Sequence, residues 1–256
     1  VSTSLAQTKQ PNIIFMLSDD QHWNDSSVQM HPDLAESKND DYPTPHLEKL
    51  AAQGMRFSAA YAPAPVCAPT RASIQTGLSP AQLHWGRVGS PVNAVDGNYQ
   101  LQPPASRRSL DGEATFATYL QKAGYATAHY GKWHIGAGGP EKNGYDAGDG
   151  DIGNEAAAKY SDTNPVDIVG MTDRAKKFID SAVQDKKPFF VQMSYLALHS
   201  PGNASKKNIE KFTKLHPDMR ERSIQRIALT ADLDEGVGAL LAHLDKINIA
   251  DNTYVI

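Results

Sequence analysis

The chain has 256 residues, with 25 Lys and Arg against 29 Asp and Glu, a net charge of −4 and 40% hydrophobic residues. That length suits one large α/β domain with a substantial core, and the scattered basic residues argue against nucleic acid as a partner. No apolar run is long enough to cross a bilayer; the polar segment 1–10 lacks an apolar signal core and is expected to be flexible, and a single cysteine leaves the redox compartment open.

In chain order, Asn12–Leu17 is a short apolar run consistent with a buried strand. Residues 45–53 read as a helix with Thr44 as N-cap, Pro45 in its first position and Gly54 as its stop. A second helix is expected from Cys67, with Pro69 in the first turn and Gly77 at the end. A third covers 115–122 and closes at Gly124, leading into a small-residue strand over 125–130. Residues 172–183 place Ala175, Phe178, Ile179 and Ala182 on one helical face. A buried strand is expected within 188–198, a long helix over 223–244, and a last strand opening at 253–256. This alternation predicts a mostly parallel central sheet with helices on both faces.

In such sheets the chemistry gathers at the carboxyl ends of the strands. The first strand runs into Asp19-Asp20. Neighbouring strand residues face opposite ways, so the two carboxylates meet one hard cation such as Ca²⁺ or Mg²⁺ only if the chain turns there; a solvated turn is the alternative. The second strand leads to Lys132 and His134, two apart and so on one face of an extended segment, able to bind an anion and move protons unless they belong to a plain surface loop. The third leads to His199, structural or catalytic. Cys67, a small core hydrophobe or a reactive centre, falls where helix N–H groups and dipole favour an anion, with Arg71 four residues on. Reactive group, cation and helix start together suit a tetrahedral oxyanion ester.

The run Cys67-Ala68-Pro69-Thr70-Arg71, followed by Thr76-Gly77, resembles the signature of the type I, formylglycine-dependent sulfatases of the alkaline phosphatase superfamily. The resemblance extends from about residue 11 to the C-terminus, through Asn12-Ile-Ile-Phe-Met-Leu-Ser-Asp-Asp20 and Gly131-Lys-Trp-His134. It implies hydrolysis of sulfate monoesters, with a sulfated carbohydrate as the expected substrate. It also implies that a maturation enzyme oxidises Cys67 to formylglycine, whose hydrate binds the metal and attacks sulfur. Asp19 and Asp20, with residue 67, would hold the divalent cation, usually Ca²⁺, with Mg²⁺ the other choice. Arg71 and Lys132 would stabilise the hydrate and the sulfate charge, His199 would bind sulfate or protonate the leaving alcohol, and His134 would take the proton from the second hydroxyl. A periplasmic or secreted location follows from the resemblance, lysosomal if the source is eukaryotic. A phosphonate monoester or phosphodiester hydrolase using the same formylglycine is the rival enzyme, and a non-catalytic binding protein on the same scaffold is the rival from another class.

The family supplies further metal ligands after a later strand and carries a smaller C-terminal domain. Here the sequence stops at Val255-Ile256, within what resembles that strand, so residues 1–256 read as the N-terminal portion of the catalytic domain. Two long loops are candidates for covering the pocket. In 78–111, Trp85 is equally a stacking surface for a sugar or a core residue, Arg87 equally a second anion site or solvated, and His84 accompanies them. In 136–167, Asp146, Asp149, Asp151 and Glu155 do not match the EF-hand spacing and read as a mobile acidic loop.

Overall fold

The computed structural model describes residues 10–88, 109–153, 155, 157, 159 and 161–256. The flexible segment expected at the N-terminus and most of the 78–111 loop therefore lie outside the described residues.

Among the described residues five strands form one sheet: β1 (Asn12–Leu17), β2 (Ala126–Gly131), β3 (Ala147–Gly148), β4 (Phe189–Ser194) and β5 (Thr253–Val255). Their order is β3-β2-β4-β1-β5, and every pairing is parallel. The register sets Ile14 opposite Val191 and Gly131 opposite Ser194, so β1, β2 and β4 end along one edge. Beyond β5, Ile256 N donates to Ile14 O at 2.9 Å and Met16 N donates to Ile256 O at 2.7 Å, continuing that ladder.

Among the described residues six α-helices flank the sheet: α1 (Pro45–Gln53), α2 (Cys67–Thr76), α3 (Phe116–Lys122), α4 (Ile168–Gln184), α5 (Lys206–Leu215) and α6 (Glu221–Lys246). Strand alternation separates two cores. Ile14, Ala128, Tyr130, Phe189, Val191 and Met193 share one core cluster with apolar residues of α4, α5 and α6. Phe190, with Ile13, Phe15 and Tyr125, packs on the other face against Ala68 and Ala72 of α2 and Ala117 of α3. Helices on both faces of a parallel sheet leave the strand ends as the accessible rim.

Several local expectations change. Thr44 stands at the N-cap of α1 but makes no side-chain cap. Its hydroxyl instead meets Ser26 Oγ at 3.0 Å and accepts from Ser27 N at 3.1 Å. The cap comes from the buried Asp234 of α6, whose two oxygens accept from His46 N at 3.0 Å and Leu47 N at 2.9 Å. The strand expected within 188–198 ends at Ser194. The acidic segment is not a free loop over residues 146–152. Asp146 Oδ2 accepts from Thr127 N at 2.8 Å, Asp149 Oδ2 accepts from Gly131 N at 2.7 Å, and Trp133 N donates to Ile152 O at 2.9 Å. These bonds tie residues 146–152 to β2 and its exit.

Candidate active site at the carboxyl edge of the sheet

Three crossover exits and one helix start meet at the sheet edge. After β1 the chain turns at Asp20, whose φ of 55° is left-handed. The turn is pinned to the exit of β4: Asp19 N donates to Ala197 O at 2.8 Å and Leu198 N to Asp19 O at 2.5 Å. At the last residue of β2, Gly131 takes a φ of 86°. A Cβ there would lie 2.2 Å from Ser194 O, so the close approach of β4 demands glycine. Lys132 N then donates to Ser194 O at 2.8 Å. His134 is also left-handed, with φ 61°. Lys132 and His134 therefore reach the edge through a turn, not along an extended segment as their spacing suggests.

Asp19, Arg71 and Lys132 are buried together, each at most 4% exposed. Lys132 Nζ is hydrogen-bonded to Asp19 Oδ2, and Arg71 Nη2 lies 3.4 Å from Asp19 Oδ1. Arg71 Nη1 donates to Lys132 O at 2.6 Å. Burial pulls the Arg71 guanidinium below its ordinary range while the Asp19 charge opposes this, and an arginine stays charged in either case. Cys67 occupies the first position of α2, whose N-cap Val66 offers no side-chain cap and whose end is set by Gly77 at φ 72°. Its Sγ lies 3.3 Å from His134 Nδ1. Burial, then the positive charges of Lys132 and Arg71, hold the His134 pKa below its ordinary value of 6.5. The ring is thus neutral at pH 7 and able to accept a proton. His199 is part-exposed; its Nε2 lies 3.9 Å from Asp20 Oδ2 and its Nδ1 2.7 Å from Ser200 O.

Of the remaining candidates, Trp85 is 2% exposed and packs in the second core with Leu83, Trp133 and Tyr145. Its ring has no free face for a sugar, which resolves that position in favour of packing. His84 and Arg87 are exposed.

The structure also shows residues that motif reading missed. Beneath α2, Gln75 Nε2 donates to Gln192 Oε1 at 2.8 Å. Tyr145 Oη lies 2.9 Å from Gln75 Oε1 and 3.0 Å from Gln192 Oε1 and donates its one proton to that pair. Gln192 Nε2 donates to Ser194 Oγ at 3.0 Å, which meets His129 Nε2 at 3.1 Å. Burial and the nearby Arg71 push the fully buried His129 down to about 3, so it is neutral. The available signal was a polar residue interrupting each apolar run: Gln192 in Phe189–Ser194, His129 in β2, and Gln75 one turn beyond Arg71.

Asp19 and Asp20 offer the hard carboxylate oxygens that Ca²⁺ or Mg²⁺ takes. Among the described residues no group of three or more His, Cys, Asp or Glu side chains is placed to hold a metal. The donor chemistry thus fits such a cation, while the two carboxylates fill only part of the roughly six to eight oxygens that Ca²⁺ prefers.

A parallel α/β sheet with a buried carboxylate, two cations, a thiol and imidazoles at its carboxyl edge defines the class. The chain belongs to the sulfatase family: the family model described as Sulfatase matches residues 11–256. Human N-acetylgalactosamine-6-sulfatase is 27% identical over 281 residues, covering 96% of this chain and 48% of that protein. Arylsulfatase G of Canis lupus familiaris is 38% identical over 136 residues, covering 52% of this chain and 21% of that protein. The crystal structure of Ps i-CgsB in complex with k-i-k-neocarrahexaose superposes with a TM-score of 0.73 at 24% identity, over 96% of this chain and 57% of that one, and shares the fold. The chain thus spans about half the length of the relatives it matches. Among the described residues no helix is long and apolar enough to cross a membrane.

Proposed function

We propose that residues 1–256 carry the nucleophile-bearing part of an enzyme that hydrolyses sulfate monoesters of a carbohydrate, with Cys67 matured to formylglycine. The observation that carries this reading is Cys67 at the start of α2, 3.3 Å from His134, beside the buried Arg71–Asp19–Lys132 group. Family membership and an amino-sugar sulfatase among the relatives support a sulfated sugar as substrate.

Oxidation of Cys67 supplies a hydrated aldehyde, and with it both an attacking hydroxyl and a route to release sulfate by elimination, which a serine lacks. Asp19 and Asp20 would hold Ca²⁺ or Mg²⁺, which when bound supplies Lewis-acid polarisation and lowers the pKa of an attacking oxygen. Arg71 and Lys132 bring two fixed positive charges to the edge where sulfate charge must be stabilised. His199, on the more exposed side, donates a proton to the departing sugar hydroxyl. His134, neutral and next to residue 67, takes the proton whose loss frees sulfate. Acid and base are thus separate groups in separate surroundings. Maturation by a formylglycine-generating enzyme, and a periplasmic, secreted or lysosomal location, go with this reading.

The test is turnover by the full-length protein, co-expressed with a formylglycine-generating enzyme, on an aryl sulfate and an aryl phosphonate monoester. A higher kcat/KM for the sulfate, followed by desulfation of a 6-sulfated amino sugar, is expected. Preference for the phosphonate would select the rival hydrolase. Inertness toward both with residue 67 converted would indicate a binding protein.

A further inference from the structure

We infer that Arg226 is a positioning residue for the Asp19–Asp20 turn, acting through the backbone of Asp20. This rests on the reading of that turn as a cation site. Arg226 belongs to α6, far along the chain from the turn it meets. Its Nη2 donates to Asp20 O at 2.6 Å, while its Nε at 2.8 Å and Nη2 at 2.5 Å both reach Asp25 Oδ2. The same Asp25 oxygen accepts from His22 N at 3.0 Å, and Gln21 Nε2 donates to Asp25 O at 3.1 Å. Residues 20–25 therefore form a closed loop with the guanidinium as its clasp.

Three features give this contact a purpose beyond a surface ion pair. First, Asp20 is left-handed at φ 55°, a conformation that an L residue adopts at a cost, so the turn needs an outside hold. Second, Asp19 is fixed by the exit of β4 and by Lys132, whereas among the described residues the Asp20 carboxylate is paired with the part-exposed His199 at 3.9 Å. The orientation of Asp20 is thus set through its backbone, and Arg226 supplies the hydrogen bond to that carbonyl. Third, Asp19, Asp20 and Asp25 place three acidic side chains within seven residues, and a fixed cation beside them offsets their repulsion. The Arg226 and Asp25 side chains are 26% and 6% exposed, so the pair is largely shielded from water. The helix that bears Arg226 is itself anchored, since Asp232 accepts from Ser205 N at 2.7 Å and Asp234 caps α1. The planar guanidinium presents its donors to both acceptors in one fixed geometry, which the flexible, compact ammonium of a lysine does not reproduce.

The experiment measures Ca²⁺ affinity by titration calorimetry on the full-length protein, wild type against Arg226→Lys, Arg226→Gln and Asp25→Asn. Outer-shell partners of metal ligands typically cost about 10- to 100-fold in affinity when lost, and that loss is expected for both Arg226 variants. Asp25→Asn should move the same way by less, because the bond to Asp20 O survives. Conversion at residue 67 should be unchanged, and kcat should recover at saturating Ca²⁺. Arg226→Lys retains the charge and guards against a folding defect in Arg226→Gln. A Ca²⁺ affinity within about twofold of wild type, whatever the melting temperature, would overturn the inference by reducing Arg226 to a structural contact. Failure of kcat to recover at saturating Ca²⁺ would also overturn it. Absence of Ca²⁺ binding by the wild type would overturn the cation reading of the turn and this inference with it.

Discussion

Lys132→Met isolates the electrostatic centre of the site. The lysine and Asp19 side chains are 2% and 5% exposed, and Arg71 stands 3.4 Å from the other Asp19 oxygen. Methionine fills nearly the same volume, so little packing is lost. What is lost is one of the two cations around a buried carboxylate. Removing one partner of a buried ion pair costs about 3–5 kcal/mol, because the other charge is left uncompensated. Arg71 remains, which places the expected cost near the lower end, at about 3 kcal/mol. The backbone of residue 132 keeps its bonds to Ser194 O and from Arg71, so the effect belongs to the side chain. The assay is urea unfolding at pH 7.5 with a chelator present, on wild type, Lys132→Met, Asp19→Asn and the double variant. The double variant should be less destabilised than the sum of the singles by about 2–3 kcal/mol, as expected for groups in direct contact. A single-variant cost below about 1 kcal/mol with no coupling would match a solvated pair and refute the reasoning.

Two further outcomes follow from buried groups near the edge. His129 is held neutral in the fold, down to about 3, so below its ordinary value of 6.5 the unfolded chain binds a proton that the folded one refuses. Its contribution is intact above pH 6.5 and is lost as pH falls toward 3, by about 1.4 kcal/mol per pH unit. In urea melts between pH 6 and pH 4, the stability gap between wild type and His129→Gln should therefore close at about that slope, and a constant gap would contradict it. Gly131→Ala puts a Cβ 2.2 Å from Ser194 O and 2.5 Å from Met171 Cε at a φ of 86°. The expected cost exceeds about 2 kcal/mol, and a wild-type unfolding midpoint would show that the β2 exit can relax.

The main strands and most helices were legible because their apolar periods are strong. The sheet edge was legible because its polar residues follow those runs immediately. β3 was not, since two residues carry no period. α5 was also missed: within Lys206–Leu215 only Ile209, Phe212 and Leu215 are apolar among lysines. Its start signal was present, as Ser205 accepts from Asn208 N. The site residues were marked by motif, but their partners were not. Asp19 gives no hint in sequence that Lys132 will neutralise it, because the pair is 113 residues apart. Thr44 looked like a cap and was displaced by Asp234, an acid inside a helix that periodicity can only count as polar. Trp85 shows the same limit, since a tryptophan in a loop reads equally as ligand platform or core until its burial is known.

The central claim is that residue 67 works as an aldehyde and not as a thiol. Its most direct test is peptide mass spectrometry on the fragment spanning 67–76, from a preparation that hydrolyses an aryl sulfate. The account predicts loss of the sulfur and two hydrogens with gain of one oxygen at position 67, at a stoichiometry that rises in proportion to activity, and no turnover by Cys67→Ala. Full activity in a preparation whose residue 67 is entirely unmodified cysteine would contradict it.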